Sequence, residues 1–449
     1  YRVRNKIRFM QRKKLKVALI CYVSNATIRE HISLDNWKLK NIIKRLLGLP
    51  ISNYRDYSIW NTLLFQQFKE VNDIELHAII PHPGLKGKRT DFLVDNIHYH
   101  CFRQTGTCDV LRKILVSCRI QKDVFKRFRH NVSMIKSIVD EIHPDLINMI
   151  GAECSFYTLS GLEFDIHKVP FILTLETALS EPNFLRNYPM DPLVYEEWKR
   201  VEQALFKHCH YIAHDSAWYR RVAAQYNPTA QFIRYTFFMP VYDIDINVKK
   251  EFDFVYYAAN ISKAGADAIE AFGLAYKKNP KLTLNIVGEY SKATYDQFMS
   301  RIKVLGFEKN VVFSGYFPTH IDAMRQVVKS RYGLVPIKVD LISGTILECI
   351  IMGLPVVTFK TKGTPQINKN GEAVLLSDIG DYQSMANNML RLTEDVTLGE
   401  SMVMKAREFY TNIWELNQAT QRLTDIYHAV YENFYDGIEI PTRLSEPVY

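Results

Sequence analysis

The segment Val335 to Val357 carries the residues best suited to chemistry: V-P-I-K-V-D-L-I-S-G-T-I-L-E-C-I-I-M-G-L-P-V-V. It reads as strand, polar loop, apolar helix, tight turn and strand. Loops that follow parallel strands line the ligand crevice of a doubly wound sheet, so Asp340 to Thr345 are expected to face a cleft. Ser343 and Gly344 would open the helix. Unpaired backbone N–H groups and the positive helix end suit a diphosphate, and Gly344 lets a ligand come close to the main chain, with Thr345 in the same first turn. Glu348 lies one turn further on, where a carboxylate accepts hydrogen bonds from vicinal ribose hydroxyls. The competing reading for Glu348 is an exposed helix carboxylate.

This segment resembles the E-x7-E motif of the retaining GT-B glycosyltransferases, family four in particular, with Asp340 in place of the first Glu. The resemblance runs from about Phe252 to the C-terminus and includes Gly353-Leu354-Pro355-Val356-Val357 and Gly363-Thr364-Pro365-Gln366-Ile367, where Gln366 replaces the usual acid. It implies that Asp340 contacts donor-sugar hydroxyls and that Glu348 contacts the ribose. It also implies an Arg and a Lys on the diphosphate, from the loop Ala258 to Gly265. Lys263 is similar to the Lys, whereas Asn260 stands where the family has Arg, removing a bidentate phosphate clamp. Lys338 and Lys360 are candidate substitutes by proximity in sequence. Gly288 and Tyr316 follow strands at the same edge and are expected to close around the base, although glycines there are also ordinary turn residues.

The N-terminal half resembles the family more thinly. Pro144 to Glu153 and Val169 to Thr177 look like the acceptor-side strands with their cleft loops. Glu176 stands where many members have His, and hydrogen-bonds the donor sugar or the acceptor or else caps the next helix. Glu153, Ser24 and Asn25 are placed on the acceptor side. Ser24-Asn25 lacks paired glycines, so no phosphate loop is expected there.

Positioning these residues requires two sheets. Apolar runs alternate with helix-length amphipathic segments, the pattern of parallel strands joined by crossover helices. Strands are expected at Lys16–Tyr22, Ile74–Ile80, Asp145–Ile150, Pro170–Leu175, Tyr211–Ala213 and Phe232–Tyr235. The second set is Phe252–Ala258, Leu282–Val287, Val311–Phe313, Tyr332–Pro336 and Pro355–Phe359, with helices in the gaps. The expected fold is α/β, GT-B: two Rossmann-like doubly wound parallel-sheet domains facing across a cleft. Residues 1–238 form the acceptor-side domain, 239–420 the nucleotide-sugar-binding domain, and 421–449 a helix and tail returning toward the first. Asp243-Ile244-Asp245 is formally a D-x-D metal signature, but it falls in the linker and is read as such.

Composition narrows the class. A chain of 449 residues, 47% hydrophobic and 23% charged, is globular rather than disordered and large enough for two domains. Seven scattered cysteines without a C-x-x-C pair point to reduced thiols in a cytosol-like compartment. The sequon at Asn131 is read as chance. Residues 1–50 hold 13 Lys/Arg against Glu30 and Asp35, hence +11 of the net +9, leaving about −2 elsewhere. Basic amphipathic stretches at Trp37–Leu47 and Val110–Ile138 suit either an anionic membrane surface or their own domain. Nucleic acid is disfavoured because no stacking aromatics accompany the charge.

The function expected is transfer of a sugar from a UDP- or GDP-sugar, with retention, to a glycan or lipid-linked acceptor, as in bacterial surface polysaccharide synthesis. The setting would be cytoplasmic, peripheral at the inner face of the membrane. No metal or other cofactor is expected, since the pairs His143/His167 and His208/His210 lack acid or thiol partners at ligand spacing. The alternatives are a nucleotide-sugar epimerase or hydrolase, or a binding-only protein of the same fold.

Overall fold

The computed structural model describes residues 13–35, 42, 56–105, 124–187, 190–260, 264–317, 319–338 and 341–448. Two sheets organise them. The first contains β1 (Leu15–Ile20), β2 (Ile74–His82), β3 (Arg89–Val94), β4 (Ile97–Arg103), β5 (Leu146–Ile150), β6 (Phe171–Thr174), β7 (Tyr211–Ala213) and β8 (Gln231–Ile233), in the order β3-β4-β2-β1-β5-β6-β7-β8. The second contains β9 (Phe252–Asn260), β10 (Leu284–Glu289), β11 (Val311–Gly315), β12 (Ser330–Val335), β13 (Val356–Phe359) and β14 (Leu375–Ser377), in the order β11-β10-β9-β12-β13-β14. Every pairing is parallel except β3 with β4.

The central strands are largely apolar runs because helices cover both faces. In Leu146–Ile150 every residue is buried. The order reverses at β1, which lies between β2 and β5, and at β9, which lies between β10 and β12. Crossovers diverge from these two points and leave a crevice at the carboxyl ends of the strands. The loops after β9 and β12 carry the Asn260–Gly265 and Lys338–Thr345 segments.

Two expectations for the elements need correction. The gap between β2 and β5 is not purely helical: it holds the hairpin β3–β4, turned at Asp95 and Asn96 with φ of 52° and 61°. Paired left-handed residues of this type match the twist of a two-residue hairpin. A last strand, β14, extends the second sheet beyond β13.

Helix Leu416–Asp436 inserts Leu423, Ile426, Tyr427 and Val430 into the core beneath β1 and β5. Each such side chain contributes about 1.5–3 kcal/mol on leaving water. Asn148 on β5 donates to the Tyr427 hydroxyl at 3.0 Å, and Asp73 lies 2.9 Å from His428. The chain then docks on β8, where the Arg234 N–H donates to the Leu444 carbonyl at 2.7 Å. Asn131 is fully buried and its amide donates to Thr105 and Phe156 carbonyls, so its side chain serves packing.

Among the described residues Cys21, Cys101, Cys154, Cys209 and Cys349 are free thiols, and no helix is long and apolar enough to cross a membrane. Cys108, Cys118, most of Trp37–Leu47, and the first part of Val110–Ile138 lie outside the described residues.

Candidate functional site

The helix predicted to begin at Ser343-Gly344 is Gly344–Ile351, with Ser343 as its N-cap accepting from the Thr345 N–H at 3.2 Å. Ile346, Leu347 and Ile350 are buried beneath it and lock it against the second sheet. Gly344 points into open space: a Cβ built there meets nothing within 4 Å. A helix N-terminus and room beside the main chain at Gly344 therefore coincide at the crevice edge. Gly363 makes a second close approach possible, because a Cβ on it would lie 2.8 Å from the Leu341 carbonyl carbon.

Glu348 is buried rather than exposed. The hydroxyl of Tyr257 on β9 donates to its Oε2 at 2.7 Å, the hydroxyl of Tyr242 donates to Oε1 at 2.8 Å, and His320 Nε2 lies 2.6 Å from Oε1. Burial alone would raise this carboxyl, but His320 and the two tyrosines outweigh it and hold it below the usual range. Burial likewise opposes charge on His320, and the hydrogen bond and charge of Glu348 reverse that and raise it. The carboxylate is thus an anion with three protein donors. Four lone-pair directions less three leave one, on Oε2, for an outside hydroxyl.

Lys338 is committed elsewhere: its Nζ lies 2.8 Å from Asp267 Oδ1, which also accepts from Tyr382 at 2.7 Å. Lys360 is exposed beyond β13. Gly288 lies inside β10 with φ of 138°, where the β9–β10 register breaks, and Tyr316 follows β11 with 47% exposure. Asp340 and Lys263 lie outside the described residues; Asn260 ends β9 and only its backbone is described.

On the other side of the crevice, Glu176 follows β6 and Glu153 follows β5. Burial first, then the charge and hydrogen bond of Glu153, push Glu176 well above the carboxylate range, opposed by Trp60, whose indole N–H donates to Glu176 Oε1 at 2.7 Å. The Ala152 N–H donates to Glu153 Oε2 at 3.0 Å. Burial and the neighbouring carboxylate thus both favour the neutral form of Glu176. Glu202 anchors the loop beyond Glu176 by accepting the Leu179 and Ser180 N–H groups, both at 2.7 Å.

Ser24 and Asn25, expected on the acceptor side, are both buried. Asn25 Oδ1 caps the following helix through the Ile28 N–H at 2.9 Å, and Ser24 Oγ accepts from Arg29 at 3.1 Å. A polar residue after a strand and before a short helix is a cap first.

The two halves touch at this crevice. Leu341 packs on the core of the first sheet, and Lys362 Nζ sits 5.1 Å over the Trp218 ring. Tyr242, Tyr257, His320 and Trp60 were missed in the sequence. Only Tyr257 carried a signal, through strand alternation that sends it to the face beneath Gly344–Ile351.

Two parallel α/β sheets meeting across such a crevice, with an open helix start on one side, form a GT-B-like fold. Residues 253–395 match the family Glycosyl transferases group 1. Over that segment the chain is similar to a glycosyltransferase family.

Similar folds span both halves. Sucrose-phosphate synthase from Thermosynechococcus elongatus has a TM-score of 0.66 at 14% identity, covering 93% of this chain and 99% of that one. An α,α-trehalose-phosphate synthase (UDP-forming) from Burkholderia vietnamiensis gives 0.62 at 11%, covering 93% and 98%. Anabaena HepE, in complex with UDP and glucose, gives 0.58 at 14%, covering 92% and 99%. No curated protein matches the chain.

Proposed function

We propose that this enzyme transfers a monosaccharide from a UDP- or GDP-sugar, with retention, to a glycan or lipid-linked acceptor in surface polysaccharide synthesis. The observation that carries the donor side is the open N-terminus of helix Gly344–Ile351 with an ionised Glu348 one turn beyond it. The diphosphate meets the Gly344 and Thr345 main chain, one ribose hydroxyl takes the vacant direction on Glu348 Oε2, and Gly288 and Tyr316 border the base. Lys263 and Asn260 reach the diphosphate and Asp340 the sugar. UDP in the complexes of HepE and of TarM from S. aureus supports a uridine donor.

Residues 1–238 supply the acceptor side and 239–420 the donor side, with 421–449 tying the two together. Glu176, whose neutral form burial favours, donates a hydrogen bond to a sugar hydroxyl. The departing diphosphate helps deprotonate the acceptor on the same face, so the protein contributes positioning and charge stabilisation, and no divalent ion is required at the donor. The basic character of residues 1–50 supports docking at the inner face of an anionic membrane.

Incubation with a panel of nucleotide sugars, with and without glycan acceptors, tests the reading. Acceptor-dependent release of nucleotide and a product of unchanged anomeric configuration by NMR are expected. Turnover without acceptor points instead to an epimerase or hydrolase. A binding-only protein, a reading favoured by Asn260 in place of Arg and by the engagement of Lys338 with Asp267, would hold nucleotide without turnover.

A further inference from the structure

A second polar cluster lies at the opposite, amino-terminal end of the first sheet. β2 and β4 pair with His77 opposite His98. Side chains two apart on a strand share a face, so Glu75 and His77 of β2 project with His98 and His100 of β4. His77 stacks on His98 at 4.5 Å and on His100 at 5.3 Å. Glu75 Oε1 lies 3.0 Å from His77 Nε2, His77 Nδ1 lies 3.0 Å from His100 Nε2, and His100 Nδ1 lies 2.7 Å from Asp91 Oδ1.

These three contacts run in series between two carboxylates, and each needs a hydrogen. Two neutral imidazoles carry one N–H apiece, so the series is one positive charge short. A cation between Glu75 and His77 Nε2 supplies it. His77 Nδ1–H then donates to His100, and His100 Nδ1–H donates to Asp91, with both rings neutral. A carboxylate–imidazole relay of this kind commonly orients a metal-bound histidine. His98 supplies a third ligand, since one ligand atom from each of Glu75, His77 and His98 lies within 4.8 Å of the others.

We propose that Glu75, His77 and His98 bind one Zn²⁺, with water as the fourth ligand, forming a clip that ties β2 to β4 away from the catalytic crevice. Two imidazoles and a carboxylate select zinc over a hard cation such as Mg²⁺. Lys16 is the rival cation, its Nζ 3.9 Å from Glu75 Oε1. It also donates to the Ile142 carbonyl at 3.1 Å, which retains it when zinc takes the carboxylate. The strand spacing E-x-H and H-x-H carries this signal in the sequence.

The test is calorimetric titration of ZnCl₂ into untagged, EDTA-treated full-length protein, with MgCl₂ as control. One Zn²⁺ per chain with a Kd at or below the micromolar range, no response to Mg²⁺, and a zinc-dependent rise in Tm are expected. His98→Gln, at a partly exposed position that leaves the core untouched, is expected to weaken zinc at least tenfold. Asp91→Asn, acting through His100, is expected to weaken it about tenfold. Absence of zinc binding overturns the proposal. So does binding of unchanged affinity and stoichiometry in His98→Gln, which would place the metal on other surface histidines.

Discussion

Replacing Glu348 by Gln isolates the charge of the buried carboxylate with little change in shape. Oε1 accepts from Tyr242 and His320 and Oε2 accepts from Tyr257, which is also 2.9 Å from the Thr345 carbonyl. With the amide oxygen at the Oε1 position, the new NH₂ meets the Tyr257 hydroxyl, which turns its hydrogen to Thr345 and accepts. The polar groups stay satisfied. The losses are the His320 ion pair and the acceptor left for ribose. A hydrogen bond to a charged group contributes about 1.5–3 kcal/mol, so the Kd for UDP should rise roughly ten- to hundredfold. Calorimetric titration of UDP reads the affinity, and urea unfolding reads the stability, which should fall by only about 1–2 kcal/mol. Glu348→Ala leaves Tyr242 and His320 without a partner, Tyr257 keeping the Thr345 carbonyl, and should cost about 3–5 kcal/mol of stability. Unchanged UDP affinity in a folded Glu348→Gln protein would refute the ribose role.

Four further outcomes are expected. Gly344→Ala should leave Tm unchanged, because its Cβ enters open space, yet weaken UDP severalfold by standing where the diphosphate approaches; equal losses of both would contradict this. Gly363→Ala should lower stability by about 1–3 kcal/mol in urea unfolding, because its Cβ collides with the Leu341 backbone. Glu176→Gln should retain fold and transfer within about tenfold, since Gln keeps a donor where the carboxyl is neutral, whereas Glu176→Leu should not; kcat for the two variants decides. Burial raises Glu202 to about 7, against the ionised-form bonds from Ser180 and Leu179. A raised folded pKa means that the native state binds the extra proton, so the contribution of Glu202 is full below about pH 4.5 and is lost as pH rises through about 7. The Tm of the wild type minus that of Glu202→Gln should fall over this window.

What the sequence revealed depended on how local the determinant was. The mostly apolar run of β5 and the start of helix Gly344–Ile351 at Ser343 are written in neighbouring residues and appear where expected. The β3–β4 hairpin was equally local, in Asp95-Asn96 between alternating strands, but was passed over for a helix. The surroundings of Glu348 were hidden for another reason: its donors come from 28, 91 and 106 residues away. Only tertiary packing shows that the carboxylate is triply held. For Ser24 and Asn25 a strand end suits both a ligand contact and a helix cap, and their burial and local hydrogen bonds could not be read from sequence.

The most direct measurement is a crystal structure of the protein with an unreactive UDP-sugar analogue. The diphosphate is expected within hydrogen-bond distance of the Gly344 N–H, with a ribose hydroxyl on Glu348 Oε2 and the sugar turned toward Glu176. A nucleotide seated away from helix Gly344–Ile351, with Glu348 untouched by it, would contradict the assignment of this helix as the donor cradle.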